Sequence, residues 1–331
     1  MNSFGRLFRL SILGESHGPC VGILIDGCPA GLALAEADFQ GDLERRRGGG
    51  APGTTPRRED DRPLFQTGVH EGRSTGAPIL ILFENRSVDS SAYRAIRTTP
   101  RPGHADWVAR HKFGGYADLR GSGHFSGRLT AALVAAGVVA KKLLGPVSVT
   151  ARLLEVGGSA DVEAAVAAAM AAGDSVGGVV ECRVSGLPAG LGEPFFDSLE
   201  SLISHAVFAI PAIKAIEFGD GFQACRLRGS QVNDSLADAA GRTRSNHAGG
   251  INGGISNGNE LVFRVGVKPT SSIPRPQDTI DLETAEPAVI TMGGRHDACI
   301  ALRVPVVLEA VTAAVLADLM LLEARLSRVL P

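Results

Sequence analysis

RLTAALVAAGVVAKKLLGP, residues 128–146, is the stretch that decides the fold. The helix predicted over Arg128 to Leu144 is almost wholly Ala, Val and Leu, so it is apolar on all faces and must be central. Lys141 and Lys142 in the last turn suit the negative end of the helix dipole, and Gly145 followed by Pro146 stops it.

Around it, short runs rich in Val, Ile and Leu predict strands at Phe8 to Leu13, Val21 to Ile25, Ile79 to Phe83, Val147 to Leu153, Val179 to Val184, Leu261 to Val267 and Ile300 to Val304. Further helices are predicted at Glu36 to Arg47, Val162 to Ala172 with Asp161 as N-cap, Ser198 to Ala209, and about Val306 to Arg328. The last of these is apolar enough to suggest a membrane span, but Glu309 and Asp318 interrupt it, so it reads as a second buried helix. No strand runs into GxGxxG and no GxxxxGK[ST] occurs, which argues against a doubly wound nucleotide fold. With no linker, charge block or internal repeat, residues 1–331 read as one domain.

Lys and Arg number 33 against 35 Asp and Glu, so no global field draws the chain to nucleic acid or membrane, and any bound anion needs a local cluster. Five cysteines without a CxxC pair fit neither a disulfide framework nor a zinc site, and no secretory leader pattern opens the chain; a reduced, cytoplasmic protein is the expectation.

Chemistry concentrates in long Gly-rich polar stretches. GESHG places His17 at a strand exit. ERRRGGGAPGTTPRRE, residues 44–59, packs Arg45, Arg46, Arg47, Arg57 and Arg58 around small residues. Such guanidinium clusters bind phosphates and carboxylates; without interleaved aromatics, a nucleic-acid patch is the weaker alternative. RPGHADW supplies His104 and Asp106, a spacing too common to imply a metal, and none is expected. KFGGYADLRGSGHFSGRLT leads into the central helix, putting Ser126 and Arg128 at an anion-attracting N-terminus. RSNHAGGINGGISNGN, residues 244–259, and KPTSSI after it resemble a phosphate or flavin cradle, and GGRHDAC contributes Arg295, His296 and Asp297.

Taken in order, and together with SGLPAGLGEPFFDSLES, IKAIEFGDGF and LRGSQVND, these segments resemble the chorismate synthase family across nearly the whole chain. The resemblance implies an α+β fold of antiparallel sheets sandwiched by helices, assembled as a homotetramer. It implies a 1,4-anti elimination of phosphate from 5-enolpyruvylshikimate 3-phosphate to give chorismate. Reduced FMN would be required without net redox change, with NADPH a candidate reductant. Carried over by position, His17, His104 and Asp297 are the expected catalytic residues. FMN contacts are expected from His104, His124, Ser126, Ala212, Gly253, Lys268, Pro269, Thr270, Ser271, Ser272 and Arg295, and substrate contacts from Arg46, Arg47 and Arg128.

Three departures stand out. His124, Phe125 and GRLT replace an Arg, a small Ser and an acidic helix start; the Gly-rich run ending near Pro52 lacks a further Arg; and the stretch between Leu144 and Gly177 is short. The main rival to an active lyase is a family member that keeps the fold but has lost turnover; retention of His17, His104 and Asp297 favours activity.

Overall fold

The computed structural model describes residues 2–293 and 296–326. Its main elements form two antiparallel sheets. The first runs in the order Ser3–Phe4, Arg9–Gly14, Cys20–Asp26, Ile79–Glu84, Leu64–Thr67. The second runs Ile213–Phe218, Leu261–Val267, Gly178–Ser185, Ser148–Val156. In the first sheet, Ile23 lies opposite Ile12 on one side and Ile81 on the other, which buries an apolar ladder on one face.

Helix α1 covers Ala37–Arg46, α2 Asp106–Lys112, α3 Thr130–Leu144, α4 Val162–Ala171 and α5 Leu199–Val207, and a C-terminal helix runs Val304–Arg325. Helix α3 packs on the first sheet, the C-terminal helix on the second, and the two pack on each other. The α+β class with antiparallel sheets stands, but the layering implied by the resemblance, sheets sandwiched by helices, is corrected: the order is sheet, helix pair, sheet. The physical reason is the all-round apolar character of both helices, which leaves them no face to offer water. They approach closely because Gly137 meets Ala310, where any Cβ would overlap the Ala310 backbone. The two buried charges of the C-terminal helix, Glu309 and Asp318, are consumed structurally. Glu309 accepts from Arg45 Nη2 at 2.6 Å and Lys141 Nζ at 2.8 Å, and Asp318 accepts from the backbone N–H groups of Leu7 and Phe8 at 2.7 and 2.8 Å.

Six of the seven expected strands and all five helices occur within a few residues of their predicted limits, and Asp161 caps α4 by accepting from Ala164 N at 3.0 Å. One expectation is corrected: Ile300–Arg303 is a 3-10 turn feeding the C-terminal helix. Pro305 in the helix's first turn favours helix entry over strand pairing there. The strand Ile213–Phe218 escaped the periodicity reading because Lys214 and Glu217 interrupt its apolar pattern.

Candidate active site

A cleft of about 430 Å³ gathers the Gly-rich stretches. Its lining includes His17, Arg46, Arg47, Arg57, Arg101, His104, Ser126, Arg128, Ala212, the whole run Lys268 to Ser272, His296, Asp297 and Arg303. Among the described residues it presents seven Lys and Arg side chains against three carboxylates, Glu59, Asp89 and Asp297. A chain of net charge −2 thus holds a cationic cavity.

The two histidines reach the cleft on opposite flanks of one turn. Gly121, Ser122 and Gly123 all take left-handed φ values of 57°, 71° and 52°, and the turn is fastened where Ser16 N donates to Gly123 O at 3.1 Å. The His17 ring lies so close to Gly121 that a Cβ there would overlap it. Its Nδ1 pairs with Ser90 Oγ at 2.8 Å, and its ring meets Tyr93 edge-on. On the other flank, His104 Nε2 faces Ser122 Oγ at 3.4 Å, while Nδ1 sits 2.8 Å from Asp106 Oδ1.

Asp106 is held well below the usual carboxylate range. Burial works the other way, and bonds from Arg101 and His104 outweigh it. An ionised carboxylate only accepts, so a proton on Nδ1 serves Asp106, while Arg101 Nη2, a donor only, also approaches Nδ1 at 3.0 Å and Nε2 faces the Ser122 hydroxyl. His104 itself is lowered from its ordinary value, first by burial and then by the neighbouring Arg101 charge, with Asp106 opposing. Arg101 ties this pair to the 268–272 run by donating from Nη1 to Ser272 Oγ at 2.9 Å. Ser271 Oγ donates to Gly103 O at 2.7 Å and Lys268 Nζ to the same carbonyl at 3.2 Å.

The arginine-rich side is organised by Asp61, a buried residue at φ 51°. Its carboxylate accepts from Arg46 Nη2 at 2.8 Å and from Arg128 Nη1. Arg128 also donates from Nε to Asn85 Oδ1 at 2.9 Å and from Nη2 to Glu84 O at 3.1 Å, so its charge reaches the cleft while its donors are engaged by the protein. Burial brings Arg46 down to about 10, with Asp61 opposing, and it stays cationic near neutral pH. Arg57 bridges Ser16 Oγ at 2.9 Å and Glu59 Oε1 at 2.7 Å, and Arg303 Nη1 holds Asp297 Oδ2 at 3.1 Å. Asp297 Oδ1 also accepts from Thr55 N at 2.9 Å.

The structure therefore brings together most residues singled out in the sequence. Gly253 is exposed at the tip of the hairpin joining Ile251–Asn252 to Ile255–Ser256, outside the cleft wall. His124 packs on Phe125 and Phe113, with ring centroids 4.2 and 5.4 Å away, and Phe125 takes the place in the wall. Arg295 lies outside the described residues. Arg45 is exposed and pairs with the buried Glu309, away from the cleft. The sequence reading gave no role to Asp61, Arg101, Ser122, Arg303 or His296; the RPGHAD motif that supplied His104 already contained Arg101 and Asp106, and that was the available signal. The HxD spacing is a histidine–carboxylate hydrogen bond, and the described residues contain no group of three or more His, Cys, Asp or Glu able to hold a metal.

Comparison with known proteins places this geometry. The chorismate synthase family model matches residues 8–321. The chain is 62% identical over 330 residues to a chorismate synthase of Chitinophaga pinensis, covering 99% of each. It is 44% identical over 360 residues to one of Dehalococcoides mccartyi, again covering 99% of each. A solved crystal structure of a chorismate synthase superposes with a TM-score of 0.75 at 26% identity, covering 97% of this chain and 93% of that one. The chain belongs to the chorismate synthase family.

Proposed function

We propose that this lyase-family chain eliminates phosphate and a ring proton from 5-enolpyruvylshikimate 3-phosphate, giving chorismate, with reduced FMN required and no net redox change. The observation that carries the reading is the convergence of His17 and His104 on one turn within a cationic cleft. A substrate bearing a phosphate and carboxylates suits Arg46, Arg47 and Arg57, since guanidinium groups bind such anions through charge-assisted bonds.

The donor set also fits FMN. Lys268, Ser271, Ser272 and Ser126 offer an ammonium and hydroxyls, and Thr270 Oγ1 and His296 Nε2 are buried in the wall without a hydrogen-bond partner. Among the described residues these groups are orphaned, and such groups are costly, which favours a polar ligand against this wall. The chemistry supplied by reduced FMN, when bound, is transient electron density for the departing phosphate, recovered with the ring proton. The residues bind, orient and hold protons. His104, linked through Arg101 and Gly103 to the 268–272 run, serves the flavin side. His17, beside Ser16 and Arg57, serves the leaving phosphate. Asp297, oriented by Arg303 and Thr55, stands by as acceptor for the ring proton's transfer.

The same reading includes a homotetramer, for which exposed Phe195 and Phe196 supply apolar surface, and a cytoplasmic setting consistent with five free cysteines. The test is an anaerobic assay with dithionite-reduced FMN, following chorismate absorbance and phosphate release. Catalytic turnover with flavin left reduced supports the proposal. Absence of turnover favours a non-catalytic member, and one flavin oxidised per chorismate overturns the redox-neutral mechanism. Replacing dithionite with NADPH asks whether the chain reduces its own flavin.

A further inference from the structure

Two grooves open beside the cleft, and the same three arginines line both. The inner groove, of about 620 Å³, shares Asp89 and Tyr93 with the cleft and includes Ser90, which holds the His17 ring. The outer groove, of about 960 Å³, adds Trp107, His111 and Glu283. Arg94, Arg97 and Arg110 stand in both walls.

Arg94 and Arg97 flank the short 3-10 turn Ala95–Arg97 and are exposed, and neither side chain makes an ion pair or hydrogen bond among the described residues. Arg110, from α2, donates from Nη1 to the Arg97 carbonyl at 2.7 Å, which fixes it beside them. The nearby carboxylates do not neutralise the group. In the inner groove Asp118 is paired with Arg120 Nη2 at 2.8 Å, while Asp89 accepts from the neutral Ser91 Oγ at 2.7 Å and keeps its charge; in the outer wall Glu283 is the one acidic side chain among the described residues. Like charges held together repel, and among the described residues of these walls Asp89 and Glu283 offset the three guanidinium charges only in part.

We propose that Arg94, Arg97 and Arg110 form an anion-docking vestibule that loads the phosphate- and carboxylate-bearing substrate into the cleft; this rests on the cleft's reading above. A charged approach lined by low-dielectric walls concentrates a polyanion near its target, and exposed guanidinium contacts are individually weak and screened by salt. That combination suits transit.

Trp107, the chain's single tryptophan, is 54% exposed in the outer groove, stacked on His111, and reports on this site without any turnover. Two measurements on the full chain test the proposal. In the first, Trp107 fluorescence is titrated with inorganic pyrophosphate. A saturable change in the wild type that weakens at least threefold in Arg94→Gln/Arg97→Gln supports the vestibule; no change in the wild type, or identical titrations, overturns it. In the second, kcat/KM of the double variant falls roughly three- to thirtyfold at low salt, within the range expected for lost steering, and the deficit shrinks toward unity at about 0.5 M salt. An undiminished deficit at high salt, or none at low salt, overturns it. If the wild type shows no turnover, the reading of the cleft fails, and the fluorescence titration still decides the vestibule.

Discussion

Asp106 Oδ1 lies 2.8 Å from His104 Nδ1 and is simultaneously held by Arg101 Nη2 at 2.7 Å, so one buried carboxylate orients both the imidazole and the guanidinium of the same short motif. This carboxylate raises the proton affinity of His104 against the lowering effect of burial. Replacing it by the isosteric amide removes that support. Asp106→Asn is expected to lower kcat about 10- to 100-fold and to move the fall of activity with rising pH toward lower pH. A pH–rate profile measures both; unchanged kcat and an unchanged profile would separate Asp106 from the histidine's function.

His17→Ala and His104→Ala each remove an acid–base group outright. The expected loss in kcat is about 10²- to 10⁴-fold with a folded protein by circular dichroism. Near-wild-type turnover in either variant removes that imidazole from the mechanism.

Gly121 carries a different kind of information, because its φ of 57° and the adjacent His17 ring both exclude a side chain. Gly121→Ala should cost about 1–2 kcal/mol in stability for the left-handed backbone. It should also cost on the order of 100-fold in kcat, because the ring must shift by part of an ångström. Thermal unfolding and steady-state kinetics separate the two, and a stability loss with full activity would show that the ring position is not critical.

Asp61 links Arg46 and Arg128 below the substrate side of the cleft. Asp61→Ala leaves two buried guanidinium groups without their shared counter-ion and should destabilise by about 3–5 kcal/mol. The pH dependence has a definite sign. Burial alone would raise the Asp61 carboxyl, but the two arginines win and its folded value is lowered. Its stabilising contribution is therefore complete above the unfolded value near pH 4 and is lost as pH falls below it. The melting temperature of Asp61→Asn should accordingly be less acid-sensitive below about pH 4 than that of the wild type.

His124 offers the control. Its ring packs on Phe113 and Phe125 and is absent from the wall of the cationic cleft. His124→Ala should leave substrate KM within about twofold across pH 6 to 8, the size expected of a partly exposed position without a buried partner. A KM that rises steeply in the variant would return His124 to anion binding.

Local pattern alone determined the two buried helices and six of the seven predicted strands, because apolar periodicity and stop signals act over a few residues; the antiparallel pairing came only from the family resemblance. It also marked the stretches carrying His17, His104, the 268–272 run and Asp297, because functional loops are rich in glycine and polar side chains that no core would use. Tertiary structure alone decided which charges belong to the cleft. Arg45 and Arg46 are neighbours in sequence, yet the helical turn sends one to Glu309 in the core and the other to Asp61 at the site. Asp60 and Asp61 look like one solvated acidic pair in the sequence, but only Asp61 is buried, where its energy depends on Arg128, 67 residues away. The displacement of His124 by its neighbour Phe125 and the exposure of Gly253 on a separate hairpin follow the same rule. The chemistry a side chain can perform is set by its type, and whether it performs it depends on partners that the sequence places far apart.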